Sequence, residues 1–148
     1  DKTYLAAEDL QKKYGGTSYA AMGSLVAAKV AMDSNDATKA QSYLKWTANQ
    51  ASDDSFRALA QLRLLGILID QGTEASLKEA DQLLKEKVVK GFEPLWIERR
   101  GDWYLVQTKI PEARTEYLKA MKAMQSDRAF PEDARGLLKV KIDAVGGM

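Results

Sequence analysis

The chain has 148 residues, 45% of them apolar and 29% charged, and its 22 basic and 21 acidic side chains leave a net charge of +1. That balance is ordinary for a soluble protein and carries no electrostatic footprint of a nucleic-acid partner. With neither cysteine nor histidine, disulfides, thiolate nucleophiles, cysteine-ligated metals and the commonest general base and metal ligand are excluded, so no cofactor, no metal and no enzymatic role is expected.

The length suits one domain, or about four helical repeats of about 34 residues. The longest apolar run near a helix centre, Leu64-Leu65-Gly66-Ile67-Leu68-Ile69, stops at Asp70. A membrane helix needs about 20 such residues, so no span is expected here. The chain opens on Asp1-Lys2-Thr3 without an initiator methionine, as expected of a mature or trimmed piece of a longer protein from which an anchor has been removed. Lack of cysteine fits an oxidising compartment, although a cytosolic protein can lack it too.

In chain order, a lead-in helix is expected over 3–14, with Ala7, Leu10 and Tyr14 on one face, ended by Gly15-Gly16. A hairpin follows over 17–50. Its first helix starts after Thr17 or Ser18 and runs through Met22, Leu25, Ala28 and Met32; its second, after the turn cluster Asp33-Ser34-Asn35-Asp36, turns Ala40, Tyr43, Leu44 and Thr47 inward. A second hairpin is expected over 53–90, with Leu59, Leu62, Gly66 and Ile69 in its first helix. Gly72 closes that helix, and Ser76-Leu77-Lys78-Glu79 reads as a capping box ahead of Ala80, Leu83 and Leu84. A third spans 94–126, with Pro111 in the first turn of its second helix, where a missing N–H costs nothing. A terminal helix over 131–145 places Ala134, Leu138, Ile142 and Val145 on one side, and Gly146-Gly147 closes it.

The spacings turn these hairpins into repeats. Ala28 to Ala40 and Gly101 to Ala113 are both intervals of twelve residues, and Gly66 to Ala80 is one of fourteen, across a longer turn. Small residues at those places let paired helices touch, and a hairpin that cannot bury both faces alone needs neighbours of its own kind. The pattern of the third hairpin, Ile97, Gly101, Tyr104, Ala113, Tyr117 and Ala120, resembles the tetratricopeptide unit, with Arg100 where leucine is usual. The expected fold is therefore all-α: one tetratricopeptide-like domain over 1–148, with about three hairpins in a short right-handed solenoid between a lead-in and a terminal helix.

At whole-chain scale the order AAEDLQKKYGGTSYAAMGSLVAAKVAMDSNDATKAQSYL, LRLLGILIDQG, GDWYLVQTKIPEAR and a last helix ending near Lys141-Ile142-Asp143 resembles the tetratricopeptide domain of YfgM-like proteins, ancillary subunits of the bacterial SecYEG translocon. The resemblance implies a periplasmic, non-catalytic domain behind one N-terminal inner-membrane helix. Its implied partners are other proteins: translocon subunits, periplasmic chaperones or exported chains. Two alternatives are a repeat adaptor of another envelope assembly complex and a cytosolic peptide-binding adaptor.

In a helical-repeat array the first helices of the hairpins line the concave side, so Met22, Leu25, Lys29, Asp33, Glu98, Arg99 and Asp102 form the candidate partner-binding surface. The plainer reading of the charged members is a solvated face with helical i, i+3 and i, i+4 pairs. Trp46, Trp96 and Trp103 at helical spacing read as packing residues before partner anchors. Met22, Met32, Met121 and Met124 fit either a groove or a core. Arg100-Gly101-Asp102 spells an adhesion tripeptide, but Gly101 is expected inside a helix contact. Asp33 to Asp36 and Asp53-Asp54 lack the ligand alternation of a calcium loop and read as turn and cap residues.

Overall fold

The computed structural model describes residues 1–146, and among them the chain forms eight α-helices and no strand. They are α1 (Lys2–Tyr14), α2 (Ser18–Asp33), α3 (Ala37–Gln50), α4 (Asp54–Gln71), α5 (Glu74–Leu84), α6 (Glu93–Val106), α7 (Ile110–Gln125) and α8 (Glu132–Gly146). This is the all-α, hairpin-repeat class expected. Gly147, expected to close the last helix, lies outside the described residues. No helix among them is long and apolar enough to cross a membrane. The chain divides into two compact units, Asp1–Ile67 and Leu68–Met148, with the division inside α4.

In the first unit, side-chain oxygens set the helix starts. Asp1, Thr17 and Asp36 accept hydrogen bonds from the N–H groups of Thr3, Ala20 and Lys39, each satisfying a donor that the first helical turn leaves free. α2 packs against α1 and α3, and small side chains make those contacts: Ala7 on α1, Ala20, Ala21, Ala27, Ala28 and Ala31 on α2, and Ala40 on α3 are all buried. At the α1–α2 crossing, a Cβ on Gly23 would stand 2.9 Å from Leu10 Cδ1. Two polar contacts lie inside this packing, where hydrogen bonds replace those to water. Gln11 Nε2 donates to the buried Ser24 hydroxyl at 2.8 Å, and Thr47 donates to the Tyr43 carbonyl at 3.0 Å.

This arrangement divides the residues through which α2 is expected to run. Leu25 and Ala28 are buried, but Met22 and Met32 point outward, 43% and 40% exposed. A helix held closely on two sides accepts alanine and serine there and sends its larger side chains to the open side. α3 follows expectation, with Ala40, Tyr43, Leu44 and Thr47 all buried. On α1, Ala7 is buried while Tyr14 is exposed.

In the second unit the start of α5 also differs from the sequence reading. Gly72, at φ +64°, turns the chain sharply in the left-handed region that glycine enters without a steric penalty. Thr73 then caps the helix immediately. The Ser76 N–H donates to Thr73 Oγ1 and the Thr73 N–H donates to Ser76 Oγ, both at 3.0 Å. The capping box is Thr73 with Ser76, one turn ahead of the expected Ser76 with Glu79. Leu77, rather than Ala80, consequently stands as far from its cap as Ala40 and Ala113 stand from Asp36 and Lys109.

α5 is tied to α6 by tryptophan. Trp96 Nε1 donates to the Leu84 carbonyl at 3.2 Å and Trp103 Nε1 to the Leu77 carbonyl at 2.8 Å. Both indoles are thus packing residues, and Trp96 is fully buried. α6 and α7 pair as a hairpin, with the Tyr117 ring pressed on Gly101. Ala113, Tyr117, Ala120 and Met124 of α7 join Leu138 and Val145 of α8 in one core. Gly101 is buried, so the Arg100-Gly101-Asp102 triplet is a helix contact.

Candidate protein-interaction surfaces

The seven candidate residues separate by unit and by burial. On α2, Met22, Lys29 and Asp33 are exposed and Leu25 is buried. Leu25 therefore fills the core and is no contact residue. Two residues that were not among the candidates complete the outer face: Tyr19 is 70% exposed and Val26 55%. Tyr19, Met22 and Val26 follow one another at i, i+3 and i+7, so they share one stripe. Lys29 and Asp33 continue it as an exposed ion pair at 3.3 Å, the solvated i, i+4 arrangement that contributes little to stability.

Apart from Leu25, the usual inside-outside order is inverted on this helix. Small side chains are buried, whereas a tyrosine, a methionine and a valine face water. The sequence signal was present in the alanine positions themselves: Ala20, Ala21, Ala27, Ala28 and Ala31 occupy one arc, and Tyr19, Met22 and Val26 occupy the opposite one.

On α6 the three candidates are engaged within the chain. Glu98 is only 5% exposed, and Lys141 of α8 reaches its Oε2 at 2.6 Å. The same ammonium lies 3.0 Å from Asp102 Oδ1, and Arg99 approaches the other Asp102 oxygen at 3.6 Å. The Tyr117 hydroxyl donates to Asp102 Oδ1 at 2.6 Å. Two carboxylates face two cations, so the local charge is balanced. Burial, followed by the hydrogen bond from Tyr117 to Asp102 and that carboxylate's charge, pushes the Tyr117 phenol well above the usual tyrosine range. The expectation of an open polar face on α6 is therefore corrected: Glu98 is closed in, and Asp102 is shared among three partners.

One further polar arrangement holds α1 on α3. The Tyr43 hydroxyl donates to Glu8 Oε1 at 3.1 Å, and the Tyr43 ring stacks on Tyr4 with centroids 5.8 Å apart. An open cleft of about 470 Å³ lies beside them, lined among others by Gln11, Lys39 and Trp46. No group of three or more acidic residues among the described residues is arranged to hold a metal ion.

Paired helices seated on small residues, repeated along a chain with an apolar outer stripe, define a helical-repeat protein of the protein-interaction class. The chain belongs to the tetratricopeptide repeat-like domain family, whose sequence model matches residues 1–147. It is also 33% identical over 137 residues, 92% of its length, to an ancillary SecYEG translocon subunit of Neisseria gonorrhoeae (strain ATCC 700825 / FA 1090). The resemblance read from the sequence is thereby shown. The match spans 62% of that relative's length. No solved structure matches the chain. Family and fold together support a protein-interaction scaffold.

Proposed function

We propose that the chain is the periplasmic, non-catalytic interaction domain of an ancillary subunit of the protein-export translocon, held at the inner membrane by a segment N-terminal to these residues. Its partners are translocon subunits, periplasmic chaperones or exported chains, and it receives apolar segments of them on the outer face of α2. The observation that carries this reading is the inverted helix. Tyr19, Met22 and Val26 are exposed along one stripe while small residues serve the core. Tyrosine is enriched at interface hot spots, and methionine repacks against varied partners. The Lys29–Asp33 pair at the end of the stripe is exposed and free to exchange its partner for a charged group of the incoming chain. The relative's name, an ancillary translocon subunit, supports a place at the inner membrane, and the periplasmic side is part of the proposal.

The test is site-specific photocrosslinking in intact cells, with the full-length protein carrying the reactive residue at Met22, Val26 or Lys29, and at Lys119 as a control on α7. Adducts with translocon or chaperone subunits from the α2 positions are expected, and none from Lys119. Adducts from Lys119 alone would overturn the assignment of the surface. Adducts from α2 with unrelated envelope complexes would retain the surface and overturn the translocon reading.

A further inference from the structure

The third hairpin holds a groove that the chain itself fills. α8 lies in it as an amphipathic helix. Leu138 and Val145 are buried, Ala134 and Ile142 pack beside them, and Lys141 reaches past this stripe to Glu98 and Asp102. Apolar anchors three and four residues apart are how a helix is read by a groove. The lysine adds a polar reading head on the side of α6. Its ammonium also lies 5.9 Å from the centroid of the Tyr117 ring, within the range where a cation is attracted to an aromatic face.

Four features set α8 apart from a permanent core helix. α8 buries two side chains, against four on α7. Its outer side carries large apolar residues as well: Leu137 is 60% exposed and Val140 64%, alongside the exposed Lys139 and Asp143, whereas the terminal helix of a repeat array ordinarily keeps a polar outer face. Its polar anchor is one ammonium among carboxylates, and an ion pair of this kind is exchanged for another without leaving a buried charge alone. The connection from α7, residues 126–131, contains no helix.

We propose that α8 is a reversible self-ligand. The α6–α7 groove is a second protein-binding site, distinct from the α2 face, and it takes an amphipathic helix of a partner protein with the pattern apolar-x-x-Lys-apolar-x-x-apolar, the pattern of Leu138, Lys141, Ile142 and Val145. α8 occupies the groove until such a helix displaces it. Glu98 and Asp102 then select the incoming lysine, and the apolar floor around Tyr117 and Met124 takes the flanking side chains. This site lies wholly within the second unit and stands whether or not the translocon reading does.

The experiment titrates a fluorescein-labelled peptide of residues 130–146 into the intact chain and follows anisotropy. In the wild type the resident helix competes and binding is weak. In Lys141→Glu the resident helix sets a carboxylate against Glu98 and Asp102, leaves the groove, and the labelled peptide binds at least tenfold more tightly. Adding Glu98→Gln and Asp102→Asn to that variant lowers the affinity again by tenfold or more. Equal affinity of wild type and folded Lys141→Glu overturns the proposal, as does undiminished affinity after the two carboxylates are neutralised. If Lys141→Glu does not fold, hydrogen exchange of the wild type decides. The α8 amides are expected to exchange at least a hundredfold faster than those of α7, through an opening that leaves α7 protected, and exchange of both helices at one rate overturns the proposal.

Discussion

The Tyr117 ring occupies the space in which a side chain at Gly101 would begin. A Cβ built on Gly101 would stand 2.5 Å from Tyr117 Cδ1 and closer still to Cε1. Tyr117 is fully buried and its hydroxyl is fixed on Asp102, so the ring has nowhere to retreat. Gly101→Ala gains up to about 1 kcal/mol of helix propensity, but overpacking against a fixed ring costs about 1–3 kcal/mol. The expected outcome is a net loss of about 1–2 kcal/mol in urea unfolding. Gly136→Ala is the matching control: a Cβ there meets nothing within 4 Å, and that variant is expected to gain up to about 1 kcal/mol.

Leu25 and Val26 are adjacent, and only the first is buried. Leu25→Ala is expected to cost about 2–4 kcal/mol, through lost burial and the cavity left between close-packed helices. Val26→Ala should stay within about 0.5 kcal/mol of the wild type. Partner capture should show the opposite order, with Val26→Glu abolishing crosslinks from α2 in a protein whose unfolding midpoint is unchanged. A midpoint that falls as far for Val26→Ala as for Leu25→Ala would place both residues in the core.

The contrast between those two residues also marks where the sequence is legible. Helix contacts can be read because glycine and alanine are needed wherever backbones approach, and Gly101, Ala40 and Ala113 stand at such places. The facing of α2 is harder to read, because apolar residues stand on every side of its first turns and only Lys29 and Asp33, in its later turns, mark the outside; Met22 and Leu25 look alike until the alanine arc is used as the guide. Glu98 and Asp102 look like surface acids because their partner, Lys141, lies on a helix 39 to 43 residues further on. A single lysine gives no local sign of so distant a contact. The register of α5 is obscured by competition between two adequate caps, Thr73 and Ser76, which the left-handed turn at Gly72 resolves in favour of the first.

Thr108, in the α6–α7 turn, has φ +59° and Asn35, in the α2–α3 turn, has the same value. The interval between them equals that between Ala40 and Ala113, so the two turns are equivalent points of the repeat. Asparagine tolerates the left-handed region, while a β-branched threonine is strained there. Thr108→Asn is therefore expected to raise stability by about 1 kcal/mol, read as a higher urea midpoint. The reciprocal Asn35→Thr should lower it by a similar amount. A loss of stability in Thr108→Asn would mean that the Thr108 hydroxyl, which donates to the Gln107 carbonyl at 2.6 Å, outweighs the backbone term.

The Tyr43–Glu8 hydrogen bond makes stability depend on alkaline pH. Burial, then the hydrogen bond to Glu8 and that carboxylate's charge, push the Tyr43 phenol up from 10.0 to about 12. Between those values the unfolded chain has released the phenolic proton while the folded chain retains it, so the folded state binds more protons and stability must fall as pH rises. The contribution is fully present below about pH 10 and is lost through about pH 12, amounting to at most about 2.7 kcal/mol across the window and less where solvent screens the phenol. Tyr43→Phe removes the titrating group while keeping the ring stacked on Tyr4. Its stability should be slightly lower than that of the wild type at pH 8, and it should decline less steeply between pH 10 and 12. Parallel decline of both proteins in urea titrations over that range would show that Tyr43 does not carry the dependence, and that the loss comes from other phenols, chiefly Tyr117, whose hydroxyl is held on Asp102 in the second unit.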